Sequence, residues 1–271
     1  MKATMEIAGR SHVVRLDAGR SIAIPMHFDG PQPNIYEVAP ATSRAYEDSG
    51  FIGDTRRGGS CNFETVTLTP HCNGTHTECV GHISDARISI EKVLSPGFIP
   101  ATLVSLTPEV ALRSPDSYFL VKEDSDRIIT ADGLRAALAG ADPLFLEALV
   151  VRTLPNDADK NSRRYAQQPP PFFSIEAMHV LNGFGIEHIL VDIPSLDRAS
   201  DEGRLSVHHL FWEVPQGTTV VDPEAHSMRT VTEMIYVPDD LPDGRYVLDL
   251  QIAPFVSDAA PSRPILFPIE H

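Results

Sequence analysis

The chain has 271 residues, 42% of them hydrophobic and 22% charged, an ordinary globular balance with length enough for one large core. The 37 acidic residues outnumber 22 basic ones, and the formal net charge of -15 argues against a nucleic-acid partner, whose backbone it would repel. No apolar run approaches the roughly 18–20 residues of a membrane span, and the opening MKATMEIAGRSHVVRLD lacks the apolar core and cleavage site of a signal peptide.

Three cysteines, Cys61, Cys72 and Cys79, fall in one region. Their odd number speaks against a disulfide framework and makes the cytoplasm the expected compartment. Cys61 is expected to be a small buried hydrophobe.

Residues 1–50 read as short strands and loops punctuated by glycine. The segment FDGPQPNIYEV forms a surface loop in this reading, with Phe28 and Tyr36 placed to wall a substrate pocket. NFETVTLTPH (62–71) sets Phe63, Val66 and Leu68 among polar residues, which predicts a strand delivering the next segment to a sheet end. That segment, TPHCNGTHTECVGH (69–82), is the densest in chemistry. Cys72, His76, Glu78 and His82 are all groups that bind divalent metals, and His71 and Cys79 crowd the same stretch. Gly74 is read here as a tight backbone turn.

Beyond it, ISDARISIEKVL predicts a short helical stretch and ATLVSLTPEV (101–110) a strand. Thr130 is set to cap a helix with Leu134, Ala137 and Leu138 on one face. EALVVRTLPN (147–156) reads as a buried strand. The polar, proline-rich stretch that follows reads as a mobile loop, a candidate lid, with Phe172 or Phe173 able to flank a flat substrate. SIEAMHVLNGFG has helical periodicity and stops at Gly183 and Gly185. IEHILVDIPSLD is the next buried strand, and its exit at 192–197 lies where α/β sites commonly form. In SVHHLFWEV a helix can aim only one of two adjacent histidines at a site, because neighbours lie about 100° apart. MRTVTEMIYVP reads as a strand in which Glu233 is costly to bury without a partner, and a metal would supply one. GRYVLDLQIAPF and SRPILFPI close the chain as strands.

Several consecutive strands have no helix between them. This favours a mixed α/β (α+β) architecture, a mixed sheet with helices packed on it, over a doubly wound sheet. No composition break marks a linker, so 1–271 is expected to form a single domain.

The segment 72–82 resembles the signature of the cyclase family, metal-dependent hydrolases that include the bacterial kynurenine formamidases. Gly74, Thr75, His76 and His82 match in place, while Cys72, Glu78 and Val80 stand where the signature has His, Asp and Pro. ALVVRT, LNGFGIEHILVDIPSLD, a histidine beside an apolar pair, a T-E strand and a final P-S-R-P-I follow in the family's order. The likeness runs over most of the chain from about residue 20.

It implies a swivelling β/β/α fold, a homo-oligomer (dimer or tetramer), a small-molecule substrate, and one or two divalent ions, typically zinc, with manganese an option. By the resemblance Cys72, His76 and Glu78 hold the first metal, His208 the second, Glu233 bridges both and His82 is the acid/base. His208 is preferred to His209, and Glu213 or Glu224 are fallbacks for Glu233 across the long loop between them. A register slip would put His71 in place of Cys72. The implied activity is that of an arylformamidase acting on N-formylkynurenine in tryptophan catabolism. The alternatives are hydrolysis of another amide, lactone or cyclic substrate, a non-catalytic ligand-binding relative, and a thiol enzyme using Cys72 with His71 or His76.

Overall fold

Strands β1 (His76–Glu78), β2 (Phe98–Leu106), β3 (Ala148–Thr153), β4 (His188–Val191), β5 (Thr230–Glu233), β6 (Gly244–Ile252) and β7 (Ala259–Pro268) join in the order β6-β2-β3-β4-β5-β1-β7. The computed structural model, which describes residues 1–270, closes this row into a barrel, because β6 and β7 also pair along their length, from Tyr246↔Pro268 to Ile252↔Ser262. Strands β2 to β5 run parallel to one another, and the other pairings of the ring are antiparallel. Arg20–Ser21 adds a short edge strand to β7.

The parallel strands explain their own sequences. Every residue of ALVVRT in β3 and of HILV in β4 is buried, as expected of parallel strands covered on both faces. Parallel neighbours require crossovers, and three helices supply them. Helix α1 (Ala131–Ala137) lies between β2 and β3. Its cap is Thr130, whose hydroxyl accepts from the Gly133 amide at 3.1 Å. Helix α2 (Ile175–Phe184) follows β3, is capped by Ser174, and ends at Gly185 with φ 72°. Gly183 lies inside it rather than stopping it. Helix α3 (Ser206–Phe211) follows β4. One large core packs the helices and the loops around the sheet, with Phe172, Phe173, Phe211 and Trp212 fully enclosed.

Several expectations are corrected. Residues 64–67 do form a strand, but it pairs only with Thr42–Ala45 in a two-stranded ribbon outside the barrel, and all four residues are exposed. Phe63 packs there against Tyr46 and Phe51 rather than in the core. Cys61 is exposed, not buried. Within 83–94 only Ile90–Val93 is helical. The expected lid after β3 is pinned to the core. Lys160 is 2% exposed, and its ammonium donates to Asp192 at 2.8 Å, to the Thr153 carbonyl at 2.6 Å and to Asn156 at 3.2 Å. Phe172 and Phe173 form a short strand parallel to Arg127–Ile129 and are core residues, so neither walls a pocket.

His188 in β4 has a measurable consequence. It is buried, its Nδ1 lies 2.8 Å from the Thr230 hydroxyl, and burial lowers its pKa from 6.5 to about 4. The unfolded chain therefore binds the proton that the folded chain refuses. Stability is full above pH 6.5 and is lost as the pH falls towards 4, by roughly 3 kcal/mol from this residue. In urea titrations across that window, His188→Gln should flatten the decline; an unchanged slope would remove His188 as a cause.

Candidate metal centre

Strand β1 is three residues long and lies between β5 and β7. Its register sets Glu233 opposite His76, Thr232 opposite Thr77 and Val231 opposite Glu78. Alternation along a strand turns His76, Glu78 and Glu233 to one face. Thr77 and Thr232 face the other way and join hydroxyls at 2.8 Å. On the β7 side the partners of β1 are Ala259, Ala260 and Pro261.

The local chain holds this strand firmly. A single helical turn, Pro70–Asn73, precedes it, and the Asn73 side chain accepts from the Thr69 amide at 2.6 Å. Gly74 has φ 174°, extended backbone that any residue adopts, so the expected tight turn is absent. The Thr75 hydroxyl donates to the Met234 carbonyl at 2.5 Å and accepts from the Ile24 amide at 2.8 Å. It thereby fixes a buried residue with φ 53° immediately after Glu233, a conformation that costs of order 1–3 kcal/mol and persists where its surroundings enforce it. Gly81 is required by close approach, since a Cβ there would lie 2.1 Å from the Ile88 carbonyl oxygen. That contact seats the turn carrying His82.

Three histidines present one nitrogen each to this face. His76 Nδ1 is held by the Gly74 carbonyl at 3.0 Å, and its Nε2 lies 3.6 Å from Glu233 Oε2 and 4.0 Å from Glu78 Oε2. His208, from α3, has Nε2 3.0 Å from Glu78 Oε1 and 3.5 Å from Glu233 Oε1. Its Nδ1 donates to Asp197 at 2.7 Å. His71 has Nδ1 2.8 Å from Glu78 Oε2 and Nε2 2.8 Å from Asp258. Glu233 is itself oriented by the Leu196 amide, which donates to Oε1 at 3.0 Å.

Charge is out of balance here. Burial and then the neighbouring charge of Glu78 raise the Glu233 pKa to about 7. Burial works to raise Glu78 as well, but His82, His208 and His71 hold it well below the carboxylate range. His76 is pushed down to about 4, by burial and then by His71, which keeps its ring neutral and its lone pair free. Burial works to lower His208 and His71, yet the surrounding carboxylates raise both, His71 to about 10. Protons on these two rings supply the positive charge that the carboxylates demand. A divalent cation would supply it instead and release them.

His76 Nε2 is buried with no hydrogen-bond partner, and His208 Nε2 and Glu78 Oε1, also buried, have only each other at 3.0 Å. Such atoms are expensive to leave unpaired. Glu78, His208 and Glu233 offer donor atoms within 4.8 Å of one another, as do His71, His76 and Glu78. Nitrogen and oxygen donors of this kind fit a divalent transition ion.

Of the residues singled out in the sequence, the structure brings His76, Glu78, His208 and Glu233 together and sets His82 at the rim. His82 Nδ1 lies 3.5 Å from Asp258 and 3.9 Å from Glu78, with its ring tilted on that of His71 at 4.3 Å. His209 turns away, its Nδ1 3.3 Å from the Val214 carbonyl. Glu213 and Glu224 are exposed. Cys72 packs instead with Ile35 and Tyr165, and burial, then the charge of Glu233, pushes its thiol up to about 11. It belongs to none of the converging donor groups.

Tyr36 lines a cavity of about 470 Å³ with Tyr165, Pro169 and Arg198. Its residue is 56% exposed, yet burial of the phenol, then Glu233, raises its pKa to about 12. Phe28, half-buried, does not line that cavity. Sequence reasoning missed Asp197 and Asp258 as partners of the histidines. Only the exit of β4 at 192–197 had signalled the first.

The fold is shared with solved structures of metal-dependent hydrolases. A predicted metal-dependent hydrolase from Bacillus stearothermophilus superposes with a TM-score of 0.55 at 15% identity, over 92% of this chain and 97% of that one. Isatin hydrolase A from Labrenzia aggregata gives 0.57 at 15%, over 95% and 94%. The enzyme of that name from Ralstonia solanacearum gives 0.56 at 14%, over 93% and 92%. No curated protein matches the chain in sequence. The family model described as "Putative cyclase" matches residues 14–198, and the chain belongs to that cyclase family. Among the described residues no helix is long and apolar enough to cross a membrane.

Proposed function

We propose that this protein is a metal-dependent hydrolase of a carbon–nitrogen bond outside peptides, acting on a small aryl formamide or cyclic amide. The observation that carries this reading is the convergence of buried donor atoms from Glu78, His208 and Glu233, with the unpartnered His76 Nε2 beside them. Those four residues would hold the ion. Zinc suits the nitrogen and carboxylate set, and manganese is the second choice. When bound, it supplies Lewis acidity for the substrate carbonyl and the attacking water.

The chain's own residues do the rest. Glu78 and Glu233 fix the two sides of the centre, and Asp197 keeps the Nε2 lone pair of His208 aimed inward by accepting a hydrogen bond from its Nδ1–H. His82 sits at the rim, free to take a proton from the attacking water and give it to the departing nitrogen. Tyr36 and the cavity beside it receive the flat part of the substrate. A homo-oligomer in the cytoplasm completes this reading.

Purified protein is expected to carry tightly held zinc or manganese and to hydrolyse the formamide of N-formylkynurenine or the ring amide of isatin, with chelator abolishing turnover. His82→Gln should keep the metal and lose about 10²–10⁴-fold in kcat. Full turnover after chelation, or a metal-free folded protein, would overturn the proposal. Hydrolysis of isatin alone would move the substrate from formamides to cyclic amides.

A further inference from the structure

The three histidines at the centre share one construction. His76 gives Nε2 to the site and has Nδ1 held by the Gly74 carbonyl at 3.0 Å. His208 gives Nε2 to the site and has Nδ1 held by Asp197 at 2.7 Å. His71 gives Nδ1 to the site, 2.8 Å from Glu78, and has Nε2 held by Asp258 at 2.8 Å. One ring nitrogen faces the donors of Glu78, and the other is fixed by an outer acceptor. Metal-ligating histidines are built in this way, because the outer acceptor sets both tautomer and ring orientation.

We propose that His71, and not the adjacent Cys72, fills the remaining protein position on the metal, and that Asp258 is the positioning residue that holds His71 there. This rests on the hydrolase reading above and adds to it a ligand set particular to this chain. His71, His76 and Glu78 offer donor atoms within 4.8 Å of one another, whereas Cys72 shares no such group. The single turn at Pro70–Asn73 accounts for the choice. Consecutive residues on a helical turn point about 100° apart, so only one of the pair can face Glu78. Cys72 takes the other direction, into the small apolar cluster of Ile35 and Tyr165.

Asp258 lies between β6 and β7, far from the motif in sequence. The Cys79 amide donates to its backbone carbonyl at 3.1 Å, which ties its position to the end of β1. Its carboxylate also lies 3.5 Å from His82 Nδ1. A single acidic side chain thus supports the ring at the metal and stands against the ring at the rim.

Cobalt(II) substituted into the purified protein reads the ligand set directly, without any turnover. A thiolate ligand gives an intense near-ultraviolet charge-transfer band, which an all-nitrogen-and-oxygen set lacks. The wild type should show no such band, and Cys72→Ser should bind cobalt with unchanged affinity. Asp258→Asn should weaken binding by about 10–100-fold, and His71→Ala by at least as much, both with unchanged circular dichroism. A charge-transfer band that disappears in Cys72→Ser, or wild-type affinity in a folded His71→Ala, would overturn this assignment and leave the hydrolase reading standing. A wild type that binds no cobalt at all would sink both.

Discussion

Replacing His76 with Ala is expected to empty the centre and to lower kcat/KM by at least about 10³-fold, the equivalent of about 4 kcal/mol of transition-state stabilisation lost with the ion. The expectation follows from burial and register together. The His76 ring is wholly enclosed, and no hydrogen-bond partner meets its Nε2. It stands opposite Glu233 on the neighbouring strand, so nothing else on β1 can reach the same point. Metal content by mass spectrometry, read beside circular dichroism, checks it. Unchanged occupancy in a folded variant would strike His76 from the ligand set.

The second large effect is expected at Asp197. This buried carboxylate accepts from the amides of Val207 and His208 at 2.8 and 3.0 Å, from the Tyr118 hydroxyl at 2.6 Å and from His208 Nδ1 at 2.7 Å. It therefore caps α3, anchors Tyr118 and aims His208 at once. Asp197→Ala leaves four donors without an acceptor. Removing one member of such a buried charged pair costs about 3–5 kcal/mol. For a chain of this size that lowers Tm by roughly 6–20 °C. Asp197→Asn keeps the volume and one acceptor oxygen, so most of the structural loss should be recovered. Metal affinity should still fall about 10–100-fold, because the orientation of His208 is no longer enforced. If Asp197→Asn bound metal like the wild type, the carboxylate would be structural only.

Much of this centre could be read from residue order. The glycine-threonine-histidine motif with Glu78 two residues on marked the donors, though it read as a loop and not as strand β1, and Glu233 stood out as an acid among apolar neighbours. One helix cap was legible too, because Thr130 acts on an amide three residues away. What was not legible depends on partners distant in sequence. Lys160 sits in a polar, proline-rich stretch that reads as solvated, and it is buried because Asp192 meets it. Residues 64–67 carry a strand pattern, but the pattern cannot say that their only partner is Thr42–Ala45. Asp258 lies 187 positions from the histidine it holds. Adjacent His71 and Cys72 are chemically equal candidates until the turn that separates their directions is seen.

The pairing of β1 with β5 has an outcome for how the molecule comes into being. Residues 76–78 find their partners at 231–233 only after four-fifths of the polypeptide is made, and their other neighbours at 259–261 come later still. Contacts this remote in order are slow to form. No partial chain owns the complete cage, so an ion that prefers the finished barrel would act as a latch on it. At a free concentration one hundred times its dissociation constant, such a latch adds about 2.7 kcal/mol against unfolding. The supply of trace metal would then set the lifetime of the folded protein as well as its turnover.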